Sequence, residues 1–293
     1  MGRRGAGKTL SYYDFGRTTV YASRLDPRFS WCAYVPEDYD DEAEDRYRLL
    51  VAVHGTGRAN WLYRDGFAAF AERHRAIVLA PLFPGGITAP GELGSYKLLR
   101  SGALHYDQVL LSMVDEIGEK YRIDGDRFAL FGFSGGGHFA HRFAYLHPAR
   151  LAAVSIGAPG VVTLLDREHD FWVGVRDFER VFAKPLDVAA MRRMPVQMVI
   201  GGDDTETWEI TIRPGSAWWM AGADLAGPDR LARMRALKAS WEAAGIAVRH
   251  DVVPGVGHRM EPLVRAVEAF LADAFADDAN WAGDAPTNGE TTT

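Results

Sequence analysis

The chain has 293 residues, enough for one large α/β domain with insertions or for two small domains. Hydrophobic residues make up 47% and charged residues 25%, which is ordinary for a globular protein and excludes neither an enzyme nor a binder. The formal net charge of −6 argues against a nucleic-acid-binding face and against docking on anionic lipid.

Gly2 to Thr9 matches the phosphate-loop pattern G-x-x-x-x-G-K-[ST]. That loop works only between a strand and a helix, and nothing but the initiator precedes Gly2. Residues 1–17 are therefore expected to form a flexible leader. Arg3-Arg4 has no apolar run behind it, so it does not read as a secretory signal. Thr18 to Leu25 and Phe29 to Tyr34 alternate apolar and polar residues around the turn Asp26-Pro27, which predicts an antiparallel hairpin at a sheet edge. The single cysteine, Cys32, excludes an internal disulfide and reads as a buried thiol on the second of these strands.

From residue 48 onward the pattern becomes β-α-β-α. Arg48 to Val53 is a strand, followed by the loop His54-Gly55-Thr56-Gly57. Leu62 to His74 has helical spacing, and Ala76 to Leu82 is the next strand. A long Gly/Pro loop runs from Gly85 to Arg100 before an amphipathic helix from Leu104 to Tyr121. Arg127 to Phe133 is a strand, Gly136 to His147 a helix and Ala152 to Ile156 a strand. Val161 to Arg193 then breaks the rhythm. Val196 to Ile200 resumes the sheet, and residues 205–227 are a second irregular stretch. A helix from Pro228 to Ala244, a strand from Ala247 to Val253 and a helix from Met260 to Phe275 complete the pattern. Residues 277–293 are polar and read as a disordered tail.

This alternation implies an α/β domain over residues 18–276, with a mostly parallel sheet covered by helices on both faces. The stretches 161–193 and 205–227 are expected to be lid-like insertions, because loops this long in a compact domain are usually functional or disordered. The most apolar stretch, Leu151 to Leu165, is too short for a membrane span and holds Gly157, Pro159 and Gly160. The expected location is the cytoplasm, with no membrane or nucleic-acid partner.

Gly132-Phe133-Ser134-Gly135-Gly136 is the most informative stretch. A serine between glycines at a strand-to-helix junction is the nucleophile-elbow pattern G-x-S-x-G. With 31 glycines in the chain, that pattern arises by chance in about one such chain in ten, so its placement between strand and helix is what gives it weight. The sharp turn lifts the serine Oγ clear of the sheet and aims the N–H of Gly135 at a developing oxyanion. A serine needs a general base, and the base needs a carboxylate to orient it. On such a fold the chain order is Ser, then Asp or Glu, then His. Gly201-Gly202-Asp203-Asp204 follows one strand, and Gly257-His258 follows the last. Adjacent strand side chains point opposite ways, so Asp203 and Asp204 are not both expected to face His258, and Glu206 is a third candidate. His138, His141 and His147 lack a Glu or Cys partner at metal-ligand spacing and read as structural, as does His54. No metal or cofactor is implied.

Taken together, His54 to Gly57, Gly132 to Gly136, Gly201 to Asp204 and Gly257-His258 make the chain resemble a serine hydrolase of the α/β-hydrolase superfamily. The run Phe131 to Gly137 is similar to the branch holding polyhydroxyalkanoate depolymerases and feruloyl-type esterases. The resemblance implies acyl transfer to Ser134, an oxyanion hole from the N–H groups of Thr56 and Gly135, and hydrolysis by water. The acid of that superfamily often stands three residues after a strand-end glycine, here Gly201, so the resemblance implies Asp204 over Asp203. The expected substrate is a carboxylic ester. An amidase, a carbon–carbon bond hydrolase or a non-catalytic ligand binder are the alternatives. Trp61, Trp172, Trp208 and Trp218 are candidate substrate-binding residues for an apolar or aromatic small molecule, or else pack lid against body. Arg176, Arg180 and Arg213 could meet a substrate carboxylate but read as a solvated face.

Overall fold

Strands with unbroken apolar sequences occupy the middle of a nine-stranded sheet in a computed structural model that describes residues 4–5 and 8–282. In chain order the strands are β1 (Gly16–Arg17), β2 (Tyr21–Ala22), β3 (Ser30–Val35), β4 (Arg48–Val53), β5 (Ala76–Leu82), β6 (Phe128–Phe133), β7 (Leu151–Gly157), β8 (Val196–Gly201) and β9 (Arg249–Val253). Their order across the sheet is β9-β8-β7-β6-β4-β5-β3-β1, with β2 also paired to β3. Every pair from β9 to β5 is parallel, and the N-terminal strands join antiparallel. The side chains of Leu49 to Val53 and Phe128 to Phe131 are all but inaccessible, as expected for strands covered on both faces.

The covering helices are α1 (Asn60–Gly66), α2 (Ala68–His74), α3 (Tyr106–Lys120), α4 (Gly135–Leu146), α5 (Phe178–Phe182), α6 (Val188–Arg193), α7 (Arg230–Ala243) and α8 (Val264–Ala276). The expected helix 62–74 is two helices meeting at Phe67. The expected hairpin is present, but its first strand is broken into β1 and β2. The sheet reverses direction between β4 and β6. Chain growth runs from β4 to β5 on one side, then returns through β6 and continues to β9 on the other. Crevices at such reversals, beyond the carboxyl ends of the strands, are where open α/β sheets bind ligands.

Both ends of the domain extend further than composition suggests. Leu10 is buried, Tyr12–Asp14 form a helical turn, and the Tyr121 hydroxyl donates to the Asp14 carbonyl at 2.7 Å. Within the expected leader, Leu10 and Asp14 are therefore anchored, while Tyr12 and Tyr13 are exposed. Of the phosphate-loop match, Arg4–Gly5 and Lys8–Thr9 pair antiparallel, and the rest lies outside the described residues. At the other end, Asp278–Asn280 form a turn and the Trp281 ring lies 4.8 Å from that of Phe275. The start of the expected tail thus makes contact with α8 through Trp281. Residues 283–293 of that expected tail lie outside the described residues. Among the described residues no helix is long and apolar enough to cross a membrane.

The two insertions have different parts. Residues 208–212 and 216–218 line the crevice, whereas the 161–193 stretch contributes only Val161 to it among the described residues. That first insertion backs the second. Trp172 is 6% exposed in a small apolar cluster with Val161, Val173 and Ala223, and its Nε1–H donates to the Trp218 carbonyl at 3.0 Å. Trp172 is thus a core residue of the insertions. Replacing it with Ala should cost about 3–5 kcal/mol, the range for truncating a buried large aromatic. Trp208 is 74% exposed, so Trp208→Ala should stay within about 0.5 kcal/mol of the parent protein. Urea denaturation midpoints of the two variants check the contrast.

Candidate active site

The site starts from a backbone constraint. Ser134 lies between β6 and α4 with φ 56° and ψ −114°, a left-handed conformation that costs a non-glycine residue of order 1–3 kcal/mol. The turn is pinned on both sides. The Ser134 N–H donates to the Gly157 carbonyl at 2.8 Å, and its own carbonyl accepts from the His138 N–H at 3.0 Å. The glycines around it answer to close approach. A methyl group on Gly132 would collide with the carbonyl of Gly136. One on Gly136 would strike the carbonyl of Val53 at the end of β4, and one on Gly137 that of Gly157 at the end of β7. Helix α4 therefore enters directly over the carboxyl ends of three strands.

The loops after β8 and β9 are stitched together beside this turn. Gly202 N–H donates to the Val253 carbonyl at 2.8 Å, and Asp203 N–H to that of Val256 at 2.9 Å. Gly201 lies so close to the backbone of Val256 and Gly257 that a side chain would not fit. The stitching sets two neighbours on opposite sides. Asp203 is exposed, while Asp204 is 1% exposed and holds His258 Nδ1 at 2.6 Å from Oδ2. His258 Nε2 lies 2.9 Å from Ser134 Oγ. The ring of Phe133 packs 4.8 Å from that of His258, which fixes the imidazole from the elbow side. Glu206 is exposed and accepts from Trp208 Nε1.

The loop after β4 is fixed with equal care. Gly55 N–H donates to the Tyr63 hydroxyl at 2.9 Å. His54 is fully buried, which brings its pKa down to about 4 and keeps it neutral. Its Nε2 accepts from Phe83 N–H at 3.0 Å, the structural part expected of it. Arg58 ties the loop to the chain opposite through the carbonyls of Thr56 and Leu93. The result leaves the N–H groups of Thr56 and Gly135 without a hydrogen-bond partner among the described residues. The two residues lie close together, since a methyl group built on Gly135 would lie 3.1 Å from the Thr56 nitrogen.

A cleft of about 510 Å³ opens above Ser134, lined among others by Thr56, Gly135, Lys97, Trp208 and Trp218. Trp61 is 53% exposed on α1 and does not line it, and Trp172 lies behind the wall. Arg176 and Arg180 pair with Asp170 and Asp177 at the surface, and Arg213 is exposed. His141 on α4 holds backbone, its Nε2 accepting from Thr163 N–H at 3.1 Å, and His147, just beyond α4, meets the Asp107 carboxylate through Nε2 at 2.7 Å. Among the described residues no group of three or more His, Cys, Asp or Glu is arranged to hold a metal ion.

Sequence reasoning missed Arg230. It is 2% exposed at the start of α7, and its Nη1 donates to Asp204 Oδ1 at 3.1 Å. Its Nη2 donates to Glu209 on the cleft wall at 2.9 Å. Asp204 is thus held by His258 on one oxygen and by a buried guanidinium on the other. Only the position of Arg230 after the helix cap Asp229 marks it in the sequence, and that position does not reveal its partner.

No family model matches the chain, and no curated protein matches it. Solved structures do. Poly(aspartic acid) hydrolase-1 from Sphingomonas sp. KT-1 aligns with a TM-score of 0.71 at 22% identity, over 87% of this chain and 97% of its own. A poly(3-hydroxybutyrate) depolymerase from Bordetella parapertussis aligns with a TM-score of 0.67 at 26% identity, over 87% and 88%. A ferulic acid esterase aligns with a TM-score of 0.57 at 16% identity, over 88% and 96%. With its sheet reversal between β4 and β6 and a glycine-bound turn at that point, the chain has the α/β-hydrolase fold.

Proposed function

We propose that the protein is a serine hydrolase that cleaves a carboxylic ester of an apolar or aromatic small molecule through an acyl-enzyme on Ser134. One observation carries this reading: the His258 imidazole bridges Ser134 Oγ at 2.9 Å and Asp204 Oδ2 at 2.6 Å, at the floor of an open cleft. The likeness to solved hydrolases and esterases supports the hydrolase class.

The chemistry follows from the distances. The Ser134 Oγ attacks the ester carbonyl while His258 Nε2 takes its proton. The carbonyl electron pair moves to oxygen, where the unpartnered N–H groups of Thr56 and Gly135 stabilise the charge. Collapse expels the alkoxide, which receives the proton from His258 and leaves as the alcohol. Water then repeats the attack on the acyl group, with His258 again taking the proton, and the acid departs. Asp204 holds the imidazole with its proton on Nδ1 and stabilises the imidazolium. Trp208 and Trp218 offer apolar surface to the substrate body.

A fluorophosphonate should label the protein once, on the peptide carrying Ser134, and Ser134→Ala should abolish labelling. Turnover of p-nitrophenyl butyrate by Ser134→Ala should fall by several orders of magnitude, as when a member of such a triad is lost. Label on another serine, read by mass spectrometry, overturns the assignment.

The carboxylate partner is tested separately. Asp204→Asn permits the wrong imidazole tautomer and should lower kcat about 10⁴-fold. Asp203→Asn, at an exposed position, should keep kcat within about twofold. Steady-state kinetics of the two folded variants decide between the neighbours.

A further inference from the structure

The cleft holds a cation that acyl transfer to Ser134 does not use. Lys97 lines it from the turn Ser95–Leu98. Among the described residues its ammonium makes no hydrogen bond and no ion pair. Its backbone is locked, because the Lys97 carbonyl accepts from the buried Arg142 Nη1 at 2.8 Å. The preceding Tyr96 is 1% exposed, and its hydroxyl donates to the His54 carbonyl at 3.2 Å. The ammonium is therefore presented from a fixed turn.

The charges around Lys97 do not neutralise it. Burial is the largest influence and brings its pKa down to about 8. Arg58 and Arg142 act in the same direction, and Glu92 and Glu209 oppose them. Both carboxylates are already engaged. Glu92 accepts from the Ser95 N–H at 2.5 Å, and Glu209 is paired with Arg230 at 2.9 Å. A partly desolvated ammonium without a counter-charge is unfavourable unless a ligand supplies one.

A second residue of the same cleft wall carries an unmade donor. His138 Nε2 accepts from the N–H groups of Gly160 at 2.6 Å and Val161 at 3.1 Å. Two donors on Nε2 place the ring proton on Nδ1. Complete burial, with Lys97 and Arg142 nearby, holds the His138 pKa well below the ordinary value, so the ring stays neutral. The Nδ1–H is buried and has no partner. A buried donor left unmade costs free energy that a ligand acceptor would recover.

We propose that Lys97 and the His138 Nδ1–H form an anion-binding subsite in the Ser134 cleft, and that the ester substrate carries a carboxylate that occupies it. The proposal rests on the ester-hydrolase reading and narrows it. The substrate joins an apolar or aromatic body, for Trp208 and Trp218, to a carboxylate for Lys97. The three arginines that the sequence offers for this role lie at the surface, and the lysine fills it instead.

Binding measured without turnover separates this proposal from the reaction. In the Ser134→Ala protein, calorimetry compares two isosteric pairs. 4-Nitrophenyl hemiglutarate is set against 4-nitrophenyl 5-methylhexanoate, and 4-acetoxybenzoate against 4-acetoxybenzamide. The first pair places the carboxylate on the acyl side and the second on the leaving-group side. The carboxylate member of one pair should bind at least tenfold tighter at pH 6.5. Adding Lys97→Met should bring the two affinities together, and Lys97→Arg should keep them apart. The preference should fade as pH rises through about 8, since the ammonium is charged below its pKa and neutral above it. Equal affinities within both pairs would overturn the subsite, as would a preference that survives Lys97→Met or persists unchanged at pH 9.5. The pH series uses the native lysine, so it decides the matter even where Lys97→Met fails to fold. Cleavage of p-nitrophenyl butyrate by the unmutated protein tests the hydrolase reading alone.

Discussion

The left-handed backbone of Ser134 is the constraint on which the rest of the site depends. A residue with a side chain holds that conformation only when its surroundings leave no alternative. Here the surroundings are backbone. The carbonyls of Val53, Gly136 and Gly157 stand where side chains at positions 136, 132 and 137 would have to go. The buried parallel strands β4 and β7 hold the carbonyls of Val53 and Gly157 in place, and α4 carries that of Gly136, so the strain at one residue is met by the packing of sheet and helix together. The close approach also explains why the site lies between β4 and β6. It is there that the order of the strands reverses, the place where open α/β sheets bind ligands.

An irregular segment becomes a wall of the cleft through side chains from a regular one. Residues 205–227 contain neither helix nor strand among the described residues. The first turn of α7 clamps them. Arg233 donates to the carbonyls of Ile210 and Gly227 at 2.9 Å each, and also to that of Gly160. Arg230 joins Glu209 on the wall to Asp204 beneath it. Breaking a buried pair by removing one partner leaves the other charge uncompensated, so this network fixes geometry more than it adds stability. The wall and the carboxylate partner of His258 are thus positioned by one guanidinium.

Much of this was legible in the sequence because it is carried by local patterns. β4 and β5 fall on the expected residues, and β6 and β8 to within one residue, since continuous apolar runs between turn residues admit little else. Ser134, Asp204 and His258 were legible because glycines mark the strand ends that hold them. What was not legible depends on contacts between distant segments. Arg230 reads as one charge among many until α7 is packed on the loop after β8. Trp172 and Trp208 are equivalent as sequence, yet one is 6% and the other 74% exposed. Leu10 and Trp281 lie in polar stretches, and only the surfaces of the domain reveal that they have somewhere to pack.

The fixed turn and the cleft's cation share an anchor. A methyl group on Gly135 would collide with the hydroxyl of Tyr96, so the elbow helix and the turn Ser95–Leu98 meet at van der Waals distance. Tyr96 is stacked against Phe83, which in turn donates its N–H to His54 at the end of β4. Lys97 is the next residue along. Its position relative to Ser134 is therefore set by the same close packing that creates the strained serine, not by a separate loop. Under the proposed reading, chemistry at Ser134 and substrate choice at Lys97 are coupled in such an arrangement. A change that loosened the turn to accept a different ligand would also open the space beside Gly135, where the proposed oxyanion donors converge. Substrate preference is then more easily altered from the far wall, residues 208–212 and 216–218, whose side chains meet the cleft without touching the elbow's glycines.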